Sequence, residues 1–358
     1  MNRMSPAISS RGRDPSVDVI FTVCRCFHTC RIFNGIFLRI QVGAIISGVL
    51  FLLLLLEIYI YLTTGVCKST KKMNGKTVII TGCTSGIGLE TARDLVKRGA
   101  RVIMACRNTD AATKLKDDFA RETGNNDIVV RKLDLSSLKS VREFAEVINR
   151  EERRLDVLIH NAGTAEVFRK KLTEDGLEAT MATNQYGPFL LTHLLIDLLK
   201  RTAPSRIVVV ASCLYKMASL NLENLNPTGS FPAYLYYVSK YANIVWTLEL
   251  AKRLEGTGVT VNCLHPGLID SGIWKNVPVP LSWGLRLIVK GFFKSPAQGA
   301  QTSIHLAVSD EVNGITGKYF SDCQETPLTV GVQDPAKGKK FWELSENIVK
   351  LQSSDPKI

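Results

Sequence analysis

The sequence has no cysteine framework and no metal-ligand spacing. Its nine cysteines are scattered, none of them in CxxC pairs, and the count is odd. That pattern argues for a reducing compartment rather than a disulfide-stapled domain. Five dispersed histidines give no metal site, and no internal repeat is present, which excludes solenoids and propellers. Acid is in short supply: 45 Lys and Arg face 33 Asp and Glu, for a formal charge of +12. A nucleic-acid binder would carry this surplus on a folded surface interleaved with aromatics. Here residues 1–75 hold nine Lys and Arg against Asp14, Asp18 and Glu57, so half of the surplus flanks one apolar stretch. Anionic lipid is the better partner, and nucleic acid is not expected.

That stretch, "VGAIISGVLFLLLLLEIYIYL" at residues 42–62, is broken only by Glu57. About 20 apolar residues span a bilayer. The run starts late for a secretory signal and has no small-residue cleavage site. A membrane anchor over residues 42–66 is expected, with Tyr59 and Tyr61 at the far interface. Arg25, Arg31 and Arg39 precede it; the denser cluster of Lys68, Lys71, Lys72 and Lys76 follows, which favours a cytosolic C-terminal domain. Cys24, Cys26, Cys30 and Cys67 lie close enough to be acylated, although plain thiols are the simpler reading.

From Lys76 onward, short β-branched runs alternate with helical stretches. "KTVIIT" (76–81), "ARVIMAC" (100–106), "DIVVRKL" (127–133), "DVLIH" (156–160), "RIVVVAS" (206–212) and "VTVNCLH" (259–265) read as strands. Most are continuously apolar, as in strands buried on both faces of a parallel sheet. The alternation implies a single doubly wound, Rossmann-type α/β domain over residues 76–325. It follows a basic segment (1–41), the anchor and a juxtamembrane linker (67–75), and precedes a C-terminal tail (326–358). Within the tail, "KKFWELSENIVKL" reads as a helix packing Phe341, Leu344 and Ile348 on the domain.

"TGCTSGIG" (81–88) follows the first strand and opens the first helix. Gly82, Thr84, Ser85, Gly86, Ile87 and Gly88 would bring backbone N–H groups to a pyrophosphate at the helix N-terminus. The glycine spacing is one residue wider than GxGxxG, but the strand–turn–helix context is the required one. At the end of the second strand, "MACRNTD" offers Arg107 where an acid would select NAD, so NADP(H) is favoured. Asp134, after the third strand, either accepts from an adenine amino group or caps the next helix. In "YLYYVSK" (234–240), Tyr236 lies four residues before Lys240 and Tyr237 three, so either phenol can share a helix face with the ammonium; Tyr234 is poorly placed.

Taken together, "TGCTSGIG", "DL" (134–135), "NAG" (161–163), "TNQYG" (183–187), "VVVAS" (208–212), "YYVSK" (236–240) and "HPG" (265–267) resemble the short-chain dehydrogenases/reductases, in order, from Lys76 to about Cys323. "ACRN", "FLLTHLL", "SKYANI" and "GAQTSIHLA…GKYFSDC" look like that family's membrane-associated retinol dehydrogenase branch. The resemblance implies that Tyr236 is the general acid/base and that Lys240 favours the phenolate and holds the nicotinamide ribose. Ser212 would polarise the substrate carbonyl, and Asn184 would steady a helix bend and a proton-relay water. Asp134 and Leu135, Asn161, Ala162 and Gly163, and Pro266 and Gly267 would line the cofactor cleft. His160 stands where the family usually has a second asparagine, and Tyr186 and Pro188 also depart from the branch pattern.

"WKNVPVPLSWGLRLIVKGFFK" (274–294) holds the family's variable substrate segment, suited to an apolar pocket, to the bilayer surface, or to both. The expected protein is therefore an NADP(H)-dependent oxidoreductase acting on a lipophilic alcohol or carbonyl: a retinoid, a steroid or a fatty aldehyde. By resemblance it is a single-pass protein of the endoplasmic reticulum membrane with its catalytic domain in the cytosol, and an oligomer is compatible with this. The alternatives are a steroid or general carbonyl reductase on the same scaffold, and a catalytically silent membrane scaffold. Intact Ser212, Tyr236 and Lys240 weigh against the last.

Overall fold

The computed structural model describes residues 41–166, 170–269 and 293–358. The basic N-terminal segment up to residue 40, with Arg25, Arg31, Arg39 and three of the membrane-proximal cysteines, lies outside the described residues, as does most of the 274–294 segment. Two compact units divide at Tyr59 and Ile60. The first unit carries most of helix α1 (Gln41–Thr63), 23 residues at mean hydropathy 2.5 with none of that window buried, long and apolar enough to cross a membrane. The helix stops at Thr63, three residues before the expected end of the anchor.

The second unit is a parallel α/β domain. Its strands are β1 (Thr77–Thr81), β2 (Arg101–Cys106), β3 (Ile128–Lys132), β4 (Val157–His160), β5 (Ser205–Val210), β6 (Val259–His265), β7 (Tyr319–Ser321) and β8 (Gln324–Glu325). They form one sheet in the order β3-β2-β1-β4-β5-β6-β7-β8, parallel except for the last pair. Every residue of β1 is buried, which is why its apolar run does not alternate. The helices are α2 (Gly86–Lys97), α3 (Thr109–Thr123), α4 (Leu138–Glu151), α5 (Ala179–Met181), α6 (Gly187–Thr202), α7 (Pro232–Arg253), α8 (Pro296–Val308) and α9 (Pro335–Ile348). Buried residues of α4, α6, α7 and α9 pack on one face of the sheet; those of α2, α3 and α8 pack on the other.

The expected six strands are present, with β7 and β8 added at the edge. The C-terminal helix docks through Phe341 and Trp342, both fully buried, with Leu344 and Ile348 only partly so. Residues 65–73 run along the domain rather than hanging free of it. Gly65 N–H donates to Asp322 Oδ1 (3.0 Å), Cys67 N–H to Gln301 Oε1 (3.1 Å), and Met73 N–H to Arg98 O (2.8 Å).

The strand order reverses between β1 and β4. Open parallel sheets bind ligands in the crevice at the C-terminal ends of the strands flanking such a switch point.

Candidate active site

A cavity of about 440 Å³ opens at this switch point. The turn from β1 into α2 forms one wall, with Gly82, Thr84, Ser85, Gly86, Ile87 and Gly88 all at its surface. Ser85 is the N-cap of α2 but makes no side-chain capping bond, whereas the N-caps of α3, α4, α8 and α9 all do. The first-turn N–H groups of α2 therefore have no capping side chain and face the cavity. That is the donor set a pyrophosphate takes, so these residues fit a dinucleotide.

Gly82 has φ +67, and a Cβ there would lie 2.7 Å from Ala162 Cα. At Gly88 a Cβ would lie 2.3 Å from both Gly82 O and Asn161 Nδ2. These two glycines let the β1 turn and the β4 loop touch. Asn161 closes the contact by donating to Thr81 O (2.9 Å) and Gly82 O (3.0 Å). Thr81 Oγ1 accepts from both Asn161 N–H and Ala162 N–H at 3.0 Å. Thr81 was not among the expected site residues, because a threonine at a strand end carries no signal until its neighbour strand is known.

Arg107 lies exposed at the β2 end of the cavity and makes no ion pair among the described residues. Asp134 and Leu135 line the same wall. Of the two roles open to Asp134, helix capping falls to Ser137, whose hydroxyl accepts from Ser140 N–H (3.3 Å). Asp134 Oδ1 instead accepts from the Ser136 N–H (2.9 Å) and hydroxyl (2.7 Å), a tight local turn.

At the far end, Tyr236 and Lys240 from α7 line the cavity with Gly163, Val210 and Pro266. Lys240 is buried and donates to Val210 O (2.8 Å), its Nζ 5.6 Å from the Tyr236 ring centroid. Burial lowers Lys240 to about 8. Burial also pushes the Tyr236 phenol up to about 12, with the Ser212 hydroxyl beside it opposing the rise. The lysine was expected to acidify the phenol. In this geometry its ammonium is turned to a carbonyl, and desolvation dominates. Ser212 sits just past β5 and caps a 3-10 turn by accepting from Leu214 N–H (3.3 Å). Tyr237 packs edge-on against Tyr236 (6.2 Å between centroids), and Tyr234 is exposed.

Asn184 occupies a π-helical bulge, Ala182–Tyr186, between α5 and α6. π-Bulges often mark functional positions because they turn a backbone carbonyl out of the ladder. Asn184 Nδ2 donates to Thr164 O and Ser239 Oγ, both at 2.9 Å, while its Oδ1 accepts from Thr164 N–H (2.8 Å). Asn243, with its amide turned to satisfy both neighbours, donates to Asn184 O (2.8 Å) and Gln185 Oε1 (2.8 Å). It supports the bulge from α7 and was not anticipated. Asn184 and Ser212 are buried close to this cavity and are not among the residues that line it. Gly267 (φ +96) turns away and lies against the Lys294 side chain, leaving Pro266 at the wall.

His160, the departure before "NAG", points into the core. Its Nε2 bonds Thr192 Oγ1 (2.8 Å), its ring meets Trp246 edge-on, and burial holds it neutral at about 3. Tyr186 is also buried, with its hydroxyl on Leu225 O, and Pro188 stands in the first turn of α6 directly after the π-bulge. The departures thus fall on core and helix-start positions.

A dinucleotide-binding crevice joined to a Tyr–Lys pair defines a nicotinamide-dependent oxidoreductase. The short chain dehydrogenase family model matches residues 76–280. Human retinol dehydrogenase 14 is 46% identical over 295 residues, covering 78% of this chain and 88% of its own. Human retinol dehydrogenase 11 is 40% identical, covering 84% and 96%. Among solved structures, the NADP active-site complex of RhlG from Pseudomonas aeruginosa superposes with TM-score 0.57 at 27% identity, covering 70% of this chain and 95% of that one. The chain belongs to the short-chain dehydrogenase family and, within it, to the retinol dehydrogenase branch.

Proposed function

We propose that this chain is a membrane-anchored NADP(H)-dependent oxidoreductase that interconverts a lipophilic alcohol and its aldehyde or ketone, with retinol and retinal as the first pair to test. The observation that carries the reading is one crevice with an uncapped helix N-terminus, Arg107 at one end and Tyr236 with Lys240 at the other. The similarity to retinol dehydrogenases supports the substrate class, and the NADP complex of a structural relative supports the cofactor.

In this reading Arg107 pairs with the 2′-phosphate, the α2 N-terminus takes the pyrophosphate, and Asp134 and Leu135 border the adenine. A Cβ at Gly163 would only touch Lys240 Nζ, 3.5 Å away, so this glycine borders the space proposed for the ribose hydroxyls. When bound, the cofactor supplies or accepts the hydride. A phenol held near 12 is protonated at neutral pH, so Tyr236 is poised to give its proton to a carbonyl oxygen, as reduction requires. Ser212 steadies that oxygen by hydrogen bonding. Lys240 neutralises the phenolate left behind, and Asn184 lies on the path by which a proton returns.

The helix Gln41–Thr63 is assigned as the anchor, residues 1–40 as a basic flank, residues 76–325 as the catalytic domain and residues 326–358 as its docked tail. The lysines after the helix favour a cytosolic catalytic domain, and the membrane proposed is that of the endoplasmic reticulum. The test is NADPH oxidation by the purified full-length protein with retinal, steroid ketones and fatty aldehydes. Retinal or another long-chain aldehyde is expected to turn over fastest. Turnover of steroid ketones alone would favour the steroid reductase reading, and no turnover of any substrate would favour a silent scaffold.

A further inference from the structure

Two of the cysteines meet beneath the cofactor crevice. Thr81 of β1 pairs in register with Ala105 of β2, and Gly82 N–H donates to Ala105 O (3.1 Å). One step further, Cys106 stands opposite Gly82, with Cys83 next along the turn. Val102, Met104 and Cys106 alternate onto the sheet face whose buried layer also contains Cys83. The two thiols are hydrogen-bond partners, which brings the two sulfurs within reach of a disulfide. Cys83 is fully buried; Cys106 is 5% exposed and lines the cavity beside Arg107.

We infer that Cys83 and Cys106 form a redox pair at the cofactor site, a dithiol that hydrogen peroxide converts to a disulfide and thereby closes to the dinucleotide. The bond would tie the glycine turn to the end of β2, between the groups proposed for the pyrophosphate and the 2′-phosphate, so this inference rests in part on the cofactor reading above.

The chemistry has an order. Cys106 can be reached through the cavity, and the neighbouring Cys83 thiol holds it below the usual thiol range, while Cys83 itself is pushed well above it. A low, reachable thiol beside a resolving one is the arrangement of redox-sensing cysteines. The Cys106 sulfur attacks one peroxide oxygen; an S–O bond forms, the O–O bond breaks, and the other oxygen leaves as water after taking a proton. The Cys83 sulfur then displaces the Cys106 oxygen as a second water, forming the S–S bond. Two thiols lose two electrons and two protons, and the peroxide is reduced to two waters. In a reducing compartment the pair rests as the dithiol, and a small dithiol reverses the bond.

The test uses the full-length protein, reduced and then treated with graded hydrogen peroxide with and without NADPH. After thiol blocking and tryptic digestion, mass spectrometry reads whether the fragment of residues 77–93 is joined to that of residues 102–107 with loss of two hydrogens. The expected result is that joined fragment, at least a tenfold fall in NADPH affinity by fluorescence, protection by bound NADPH and recovery with dithiothreitol. Cys83→Ala and Cys83→Ser should abolish both the joined fragment and the fall, each compared with its own reduced form. A blocked but unjoined Cys106, or the same peroxide sensitivity in both Cys83 variants (as oxidation of Cys213 beside Ser212 would give), overturns the pair. Failure of NADPH to bind the reduced protein would instead overturn the cofactor reading, and the joined fragment would still decide the cysteine pair.

Discussion

Along the crevice, from the glycine turn to Tyr236, the source of the chemistry changes from backbone to side chain. The β1 end is made of N–H groups and bare Cα atoms, held by Thr81 and Asn161. Its residues come almost entirely from one stretch, 81–88. The Tyr236 end is made of a hydroxyl, a phenol, an ammonium and an amide, drawn from the end of β5, from α7 and from the π-bulge before α6. The backbone half fails when something is added to it; the side-chain half fails when something is removed. Substitutions at the two ends should therefore separate binding from chemistry.

The largest expected effect is at Lys240. Lys240→Met removes the charge beside the phenolate and the donor proposed for the ribose, so turnover should fall by about 10²–10⁴-fold and NADPH affinity should fall with it. Lys240 also gives a stability signature. Its folded-state value of about 8 lies below its ordinary 10.5, so between those pH values the unfolded chain binds more protons than the folded one. Stability therefore rises with pH across that window. The wild type should gain on the order of 3 kcal/mol relative to Lys240→Met between pH 7 and 11, read from urea melts. A pH-independent difference would mean that the ammonium is solvated.

Next is Gly88→Ala, at the backbone end. The added methyl meets Gly82 O and Asn161 Nδ2 at 2.3 Å, and overpacking of this kind costs about 1–3 kcal/mol. NADPH binding should weaken at least tenfold, with a lower Tm. If saturating NADPH restores wild-type turnover, binding and chemistry are separable as described; if turnover stays low, the two ends are mechanically coupled.

Smaller still is Arg107→Ala. A hydrogen-bonded charge pair is worth about 1.5–3 kcal/mol, so the preference for NADPH over NADH should drop by about 10–150-fold while NADH kinetics barely move. A wild type without preference, or a variant that keeps it, would remove Arg107 as the determinant.

The two ends also differed in how much of them could be read from sequence. The glycine turn was fully legible, because its residues are contiguous and its strand–turn–helix context is local. The first six strands were legible for a similar reason: burial on both faces leaves β1, β2, β4, β5 and β6 as largely apolar runs, and the partly buried edge strand β3 still opens on three apolar residues. β7 and β8, three and two residues long, are too short to carry a periodic signal. The side-chain end was legible only through spaced motifs, and the supports of both ends were not. Nothing in "SKYAN" says that Asn243 reaches the Asn184 carbonyl, and nothing in "KTVIIT" says that Thr81 takes two N–H groups from the β4 loop. Trp342 went unremarked beside Phe341, although both are fully buried under α7. The electrostatics were the least legible: helical spacing places Lys240 near Tyr236, but only packing decides that the ammonium turns to Val210 O.

The most direct test is steady-state NADPH oxidation with a good aldehyde substrate, compared across wild type, Tyr236→Phe and Tyr237→Phe, with NADPH affinity measured in parallel. Tyr236→Phe keeps the ring and its packing and removes only the proton donor. Its turnover should fall by at least about 10²-fold with NADPH affinity unchanged, while Tyr237→Phe keeps most of its activity. Near-normal turnover in Tyr236→Phe, with collapse in Tyr237→Phe, would contradict the assignment of Tyr236 as the acid/base.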